Sequence, residues 1–420
     1  MKIIRWLFLL LFTGAAAQQG PELTLEQARQ QARQHYPAIR EKDLVKKTAD
    51  ISIENLQKGF LPQVALSGQA TYQSEVTRVS IPVPGFSIEP PGKDQYRLVA
   101  EASQLLFDGG MTREQKTVQL LNARVEDQKL EVELYRIQER VNQLFLGILF
   151  LEEQLRQTEL VKNDIGIGLK KMEAQLQNGV IFRSSVQMLK AEWLKAEQRQ
   201  TEIAASRKGM LQALGLFINQ ELNENTRLEQ PVVHYSPADT LIQRPEIQLY
   251  NYQEKLTARQ EKLIDAKNKP RATLFVQGGY GRPGLNMLKN EFVFYGIGGL
   301  RFNWALGGLY TRRKEREQVQ INRQRISLQQ ESFLLGTRTQ VKQQQTEIDK
   351  LEILLKSDEE IISLRHAVTE AAKVQLDNGV ITPNDFLKEI NAEDQARQLQ
   401  LTHRIQLLQA KINYATLTGK

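Results

Sequence analysis

Hydrophobic and polar positions follow two periods along this chain, and the switches between them mark its elements. From Gln63 to Gln73 the period is two. Val64, Leu66, Gly68, Ala70 and Tyr72 fall on one face, and Gln63, Ala65, Ser67, Gln69, Thr71 and Gln73 on the other. That alternation predicts a strand with one apolar and one polar face. Residues 78–93, rich in Pro and Gly, predict a long loop. A second strand follows, with Tyr96, Leu98, Ala100 and Ala102 on one face and Arg97, Glu101 and Ser103 on the other. The same pattern returns later. Ala272, Leu274, Val276, Gly278 and Tyr280 form a strand face, followed by a shorter loop over 281–290. Phe292, Phe294, Gly296, Gly298, Leu300, Phe302 and Trp304 then alternate with Val293, Tyr295, Ile297, Gly299, Arg301 and Asn303.

Outside the strands the period is helical. Thr24 and Gln27 form a capping box that opens the first helix. That helix runs past Pro37, where a kink or break is expected, to about Lys58. Leu130, Leu134, Ile137, Val141, Leu144, Ile148, Leu151 and Leu155 step alternately by four and three, the seam of a coiled coil. A helix from Gly110 to Gln177 is about 100 Å long at about 1.5 Å per residue, with Gly166 and Gly168 as expected points of interruption. The returning helix carries Val186, Leu189, Trp193, Ala196, Gln200 and Ile203, then Met210, Leu214 and Phe217. A second long helix is expected from about Leu309 to Asp377, and a last one from Pro383 to Leu417.

The chain is duplicated. Leu176-Gln177-Asn178-Gly179-Val180-Ile181 returns as Leu376-Asp377-Asn378-Gly379-Val380-Ile381. Asn-Gly tolerates positive φ and ends helices, so each copy predicts the tip of a long helical hairpin. Leu106-Phe107-Asp108-Gly109-Gly110 is answered by Trp304-Ala305-Leu306-Gly307-Gly308, which makes Gly109, Gly110, Gly307 and Gly308 the strand-to-helix junctions. The chain then divides into a segment 1–17, a first repeat over 18–218, a linker over 219–236 and a second repeat over 237–420. The strand hairpins lie at about 62–107 and 270–304, and the helical tips near 178–181 and 378–381.

Composition narrows the compartment. Lys2 and Arg5, the apolar run from Trp6 to Phe12, and Ala15-Ala16-Ala17 read as a cleaved signal peptide. The apolar run is too short to span a bilayer comfortably. Removing Lys2 and Arg5 takes the net charge from +7 to +5. Spread over the chain, that carries no nucleic-acid signature. No cysteine is present, so thiolate metal sites, disulfides and a lipid-modified N-terminal cysteine are excluded.

Strands of this length with strict alternation fit a membrane barrel, and Tyr72, Tyr96, Tyr280, Phe292 and Trp304 suit its interfacial girdles. Four strands cannot close a barrel, and open edges are not tolerated in lipid. Three copies give twelve strands, wide enough for a channel. The expected fold is therefore an α+β membrane protein: a trimeric 12-stranded β-barrel, four strands per chain, continued by an α-helical coiled-coil barrel with an internal two-fold repeat.

The signal peptide, the duplication, the two strand hairpins, the Gly-Gly junctions and the Asn-Gly tips together resemble the TolC family of outer-membrane efflux proteins, from about Leu23 to Leu417. The resemblance implies a homotrimer in outer-membrane lipid that extends into the periplasm. It also implies a passive exit duct for efflux or type I secretion, docking with a periplasmic adaptor and an inner-membrane pump. It implies that Gly179, Val180, Ile181, Gly379, Val380 and Ile381 form the adaptor-contacting tips. It places Asp385 at the constricted periplasmic entrance. Lys388 stands where a second acid is often found, a departure from the pattern, and Ser185 is the matching position in the first repeat.

No catalytic constellation emerges and no cofactor is expected. Gly279-Tyr280-Gly281-Arg282-Pro283-Gly284 matches G-x-G-x-x-G but precedes another strand rather than a helix. His35, His234, His366 and His403 show no metal-ligand spacing. The alternative to a duct is a non-pore periplasmic coiled-coil scaffold, which has no need for Phe292, Phe294, Leu300 and Phe302 on one exposed face.

Overall fold

The computed structural model describes residues 22–77, 90–179, 181–233, 235–236 and 241–420. The segment 1–17, most of the 78–93 loop, Val180 and His234 lie outside them. The elements run in the order α1 (Leu25–His35), a 3-10 turn (Pro37–Arg40), α2 (Glu41–Lys58), β1 (Gln63–Tyr72), β2 (Asp94–Phe107), α3 (Met111–Gln177), α4 (Arg183–Ile218), α5 (Pro245–Lys267), β3 (Arg271–Arg282), β4 (Val293–Asn303), α6 (Gly308–Asp377) and α7 (Pro383–Thr418). Thr24 caps α1 through the expected box with Gln27. Pro37 breaks the first helix into α1 and α2, as a residue without an amide donor does.

Two compact units emerge, and each draws on both repeats. The first comprises residues 1–39, 133–243 and 337–420, and the second 40–132 and 244–336.

In the first unit the heptad positions Leu134, Val141 and Ile148 are buried, while Ile137, Leu144, Leu151 and Leu155 are half-buried. Val141, Phe145 and Ile148 of α3 pack with Leu211, Leu214 and Ile218 of α4, Ala28 and Ala32 of α1, and Ile412 of α7. Fully burying side chains such as Phe145, Ile148 and Leu214 stabilises by about 1.5–3 kcal/mol each. Gly166 and Gly168 do not interrupt α3, which is continuous. They are positions of close approach instead. A Cβ on Gly166 stands 3.4 Å from Nε1 of Trp193, and one on Gly168 stands 3.4 Å from Cδ2 of Leu189, both on α4. Packing against the returning helix outweighs the roughly 1 kcal/mol that glycine costs a helix interior. Arg207 of α4 is also buried, donating to the carbonyls of Glu224 at 2.8 Å and Thr226 at 2.9 Å. It thereby fastens the segment after α4 to that helix.

The second unit holds the sheet, antiparallel throughout in the order β1-β2-β3-β4. The β1–β2 and β3–β4 hairpins are those of the two repeats. β2–β3 pairs one repeat with the other, Ala100 standing opposite Gly278 and Leu98 opposite Tyr280. β1 and β4 are edges, each paired on one side only among the described residues.

Candidate functional site

Register gives the sheet two chemically distinct faces. Leu66, Ala100, Gly278 and Gly296 stand side by side across the four strands, as do Val64, Ala102, Val276 and Gly298. With Leu274, Leu300 and Phe302 they make a largely apolar face, interrupted by Gln104 of β2 beside Leu274. That face is bare: Val64 is 76% exposed, Phe294 84% and Phe302 75%. Water does not favour such a patch, which marks a contact with lipid or protein. Tyr96, Tyr280, Phe292 and Phe294 cluster at one end, with ring centroids 4.5–6.1 Å apart. Trp304 lies past the other end, its Nε1 donating to the carbonyl of Asn268 at 3.0 Å. From Phe294 to Trp304 the chain rises about 34 Å. At a strand tilt of about 40° this spans about 26 Å, against about 25 Å for the apolar band of a membrane barrel.

The opposite face is polar. Arg301 Nη1 donates to Glu101 Oε1 at 3.1 Å, and the guanidinium lies 4.5 Å over the Phe275 ring. Gly279 belongs to this face. A Cβ there would lie 2.2 Å from the Tyr295 ring, so the glycine makes room for an aromatic neighbour on the next strand. This is the work of the G-x-G-x-x-G match, and it involves no phosphate loop.

The four junction glycines do different things. Gly109 and Gly110 adopt positive φ, 72° and 85°, and a Cβ on Gly109 would stand 2.6 Å from that of Lys269. Gly307 has no such constraint, while a Cβ on Gly308 would meet Asn268 Oδ1 at 2.3 Å. Asp108, with no acidic counterpart at Leu306, accepts from the amides of Gly110 at 2.8 Å and Thr112 at 2.6 Å. It starts α3 at the end of β2.

At the far ends of the hairpins, Gly179 and Gly379 close α3 and α6 with φ of 72° and 70°. Ile181 and Ile381 turn inward, Ile181 against the Ile165, Met172 and Leu189 cluster and Ile381 against Ala372, Phe386 and Ile390. The surface offered at the tips comes instead from Val380, 72% exposed, and Phe182, 82% exposed. Phe182 escapes the sequence pattern because a lone aromatic after a turn carries no periodic signal.

Asp385 sits in the first turn of α7. Its carboxylate accepts from the Thr382 hydroxyl at 2.6 Å and the Thr382 amide at 3.3 Å, closing a capping box. Lys388 lies 3.3 Å away as an ion-pair partner. The Thr382 hydroxyl and amide, then Lys388, hold the Asp385 carboxyl below the usual range. Ser185 has no equivalent arrangement. Its amide donates to the Phe182 carbonyl at 3.1 Å, and α4 begins without a side-chain cap.

Among the described residues no group of three His, Asp or Glu side chains is arranged to hold a metal. His366 Nδ1 lies 3.1 Å from Glu393 and His403 Nδ1 lies 2.7 Å from Asp358, each pair joining α6 and α7. No described helix is long and apolar enough to cross a membrane.

Residues 28–220 match the family model described as outer membrane efflux protein. This is the family that the duplication and tips resemble. The fold carries the likeness through the rest of the chain. The outer-membrane channel OprN superposes with a TM-score of 0.68 at 14% identity, covering 94% of this chain and 89% of its own. VceC from Vibrio cholerae gives 0.62 at 17% identity, covering 92% and 95%. The open state of the MtrE outer membrane channel from Neisseria gonorrhoeae gives 0.65 at 14% identity, covering 94% and 88%. No curated protein matches the chain. These solved outer-membrane proteins thus share this chain's fold.

Proposed function

We propose that three copies of this chain close a 12-stranded barrel in the outer membrane and continue it into the periplasm as a helical duct. The observation that carries this reading is the sheet: one face largely apolar and bare, the other more polar, and both edges unpaired among the described residues. Lipid excludes an open edge, because each unpaired amide and carbonyl there costs several kcal/mol. Only further strands satisfy both edges at once, and further copies of the same chain supply them by symmetry. The periplasmic scaffold alternative leaves the face of Leu274, Leu300 and Phe302 uncovered.

In this reading the chain is a passive exit for cargo, and the energy comes from partners. A periplasmic adaptor meets the tips around Gly179–Ile181 and Gly379–Ile381, with Phe182 added, and an inner-membrane pump delivers the cargo. Residues 1–17 are removed on export. Asp385 and Lys388 lie at the entrance, where three copies of a paired carboxylate and ammonium form a ring of low net charge. Such a ring selects weakly among ions.

Opening loosens the two hairpins at the tips, where Lys171 of α3 is ion-paired with Asp377 of α6. Planar-bilayer recording of the purified protein tests this. The expected result is a pore whose conductance rises in Asp377→Ala. Protein that inserts and conducts in neither form overturns the reading.

A further inference from the structure

Two adjoining cavities open beside α3 near the tips, of about 190 Å³ and about 250 Å³. They share Asp164 of α3, Thr369 and Glu370 of α6, and Ile390 of α7, and so form one cleft. Together they reach the size at which pockets hold small organic molecules, about 300 Å³ and above. The lower part has an apolar floor of Met172, Phe386 and Leu376 with Ile167 at the rim, and its walls carry Lys171, Lys373, Glu370 and Asp377, each engaged in an ion pair. The upper part is lined by carboxylates.

Most of those carboxylates are already matched. Glu393 is bonded to Arg397 at 2.6 Å and His366 at 3.1 Å. Asp394 has Arg199 at 3.6 Å, Glu370 has Lys373 at 3.8 Å, and Asp377 has Lys171. Asp164 forms no ion pair among the described residues, although it lines both cavities. Burial pushes its carboxyl up, with Glu393 and Glu370 adding to the rise and Lys373 and Arg397 opposing it. Asp164 is exposed, so its carboxylate is open to a ligand, and a carboxylate without an ion pair above an apolar floor is complementary to a molecule with a cationic head and an apolar body.

We propose that this cleft binds an amphiphilic cation, its charged group on Asp164 and its apolar body against Met172, Leu376 and Phe386. Neutral amphiphiles gain the same apolar burial but leave Asp164 unmatched, and anions are repelled by it. The occupant touches α3 of the first hairpin and both α6 and α7 of the second, so its presence also holds the hairpins together. The inference requires only this cleft and stands apart from the duct reading.

A matched series tests it on the full-length protein held in amphipol: protonated 4-phenylbutylamine, 4-phenylbutanol and 4-phenylbutyrate, with binding read by equilibrium dialysis. The amine is expected to bind at least tenfold more tightly than the alcohol, and the acid more weakly still. Asp164→Asn should remove the preference for the amine while leaving the alcohol unchanged. Ile167→Arg, at an exposed position, plants a fixed cation at the rim and should weaken amine binding at least tenfold without disturbing the core. Equal affinity for amine and alcohol, no binding of either, or an Asp164→Asn protein that still prefers the amine overturns the proposal.

Discussion

Arg301 and Glu101 meet at 3.1 Å across the sheet, one from each repeat, on the face opposite Leu300 and Phe302. A charge pair and a bare aromatic face therefore lie on the two sides of one layer, separated by a single residue step. Neighbouring residues must then respond oppositely to the same substitution. Val276→Arg places a charge on the apolar face and costs about 2–4 kcal/mol near the membrane midplane. Gln277→Arg places it on the polar face and should be nearly neutral. Protein recovered in the outer-membrane fraction, compared between the two variants, checks this. Equal recovery contradicts the assignment of faces.

The junction glycines make a second contrast. Gly109→Ala must adopt positive φ and crowd Lys269, so it should destabilise by at least about 1–2 kcal/mol. Gly307→Ala meets nothing within 4 Å at ordinary φ and should stay within about 0.5 kcal/mol of wild type. Thermal unfolding of the two variants side by side measures the difference.

Much of this was legible in the sequence. The period-two runs located the four described strands, and the heptad run from Leu130 to Leu155 located the seam of α3 whose Leu134, Val141 and Ile148 are buried. The register between β2 and β3 was not legible, because it is set by pairing between repeats rather than by any local turn. Gly166 and Gly168 suggest breaks that α3 does not have, since helix propensity registers a glycine's cost but not a Trp193 or Leu189 lying against it. The burial of Arg207 left no trace either. Its partners are backbone carbonyls, which sequence does not label. The Asp385 capping box is legible in the Thr382-to-Asp385 spacing.

That capping box gives a pH-dependent test. The Asp385 carboxyl is held below its ordinary value. Its contribution is therefore present above the ordinary carboxylate range of about pH 4. It is lost as pH falls through the depressed folded value. Hydrogen exchange at the start of α7 should accelerate on acidification in the wild type. In Asp385→Ala it should already be fast at neutral pH, with little further change. The first tip has no such device, so Phe182→Ser, which supplies an N-cap to α4, should slow exchange there by about 1 kcal/mol.

Asp394 behaves in the opposite sense. Burial raises its carboxyl, and Arg199, Gln157, Gln398 and Arg397 offset this only in part. A raised folded value means that ionisation opposes folding, so stability is gained as pH falls through that value. Asp394→Asn should melt higher than wild type at neutral pH, with the difference shrinking in acid. A variant that melts lower at neutral pH would show the Arg199 contact outweighing burial.

The central claim is that one chain supplies a third of a closed barrel, and the mass of the native particle tests it most directly. Protein extracted from membranes in mild detergent and weighed by native mass spectrometry should be found with the outer membrane and contain three copies. A soluble monomer or dimer would contradict the account and leave the bare face of β1 to β4 to be covered by some other protein.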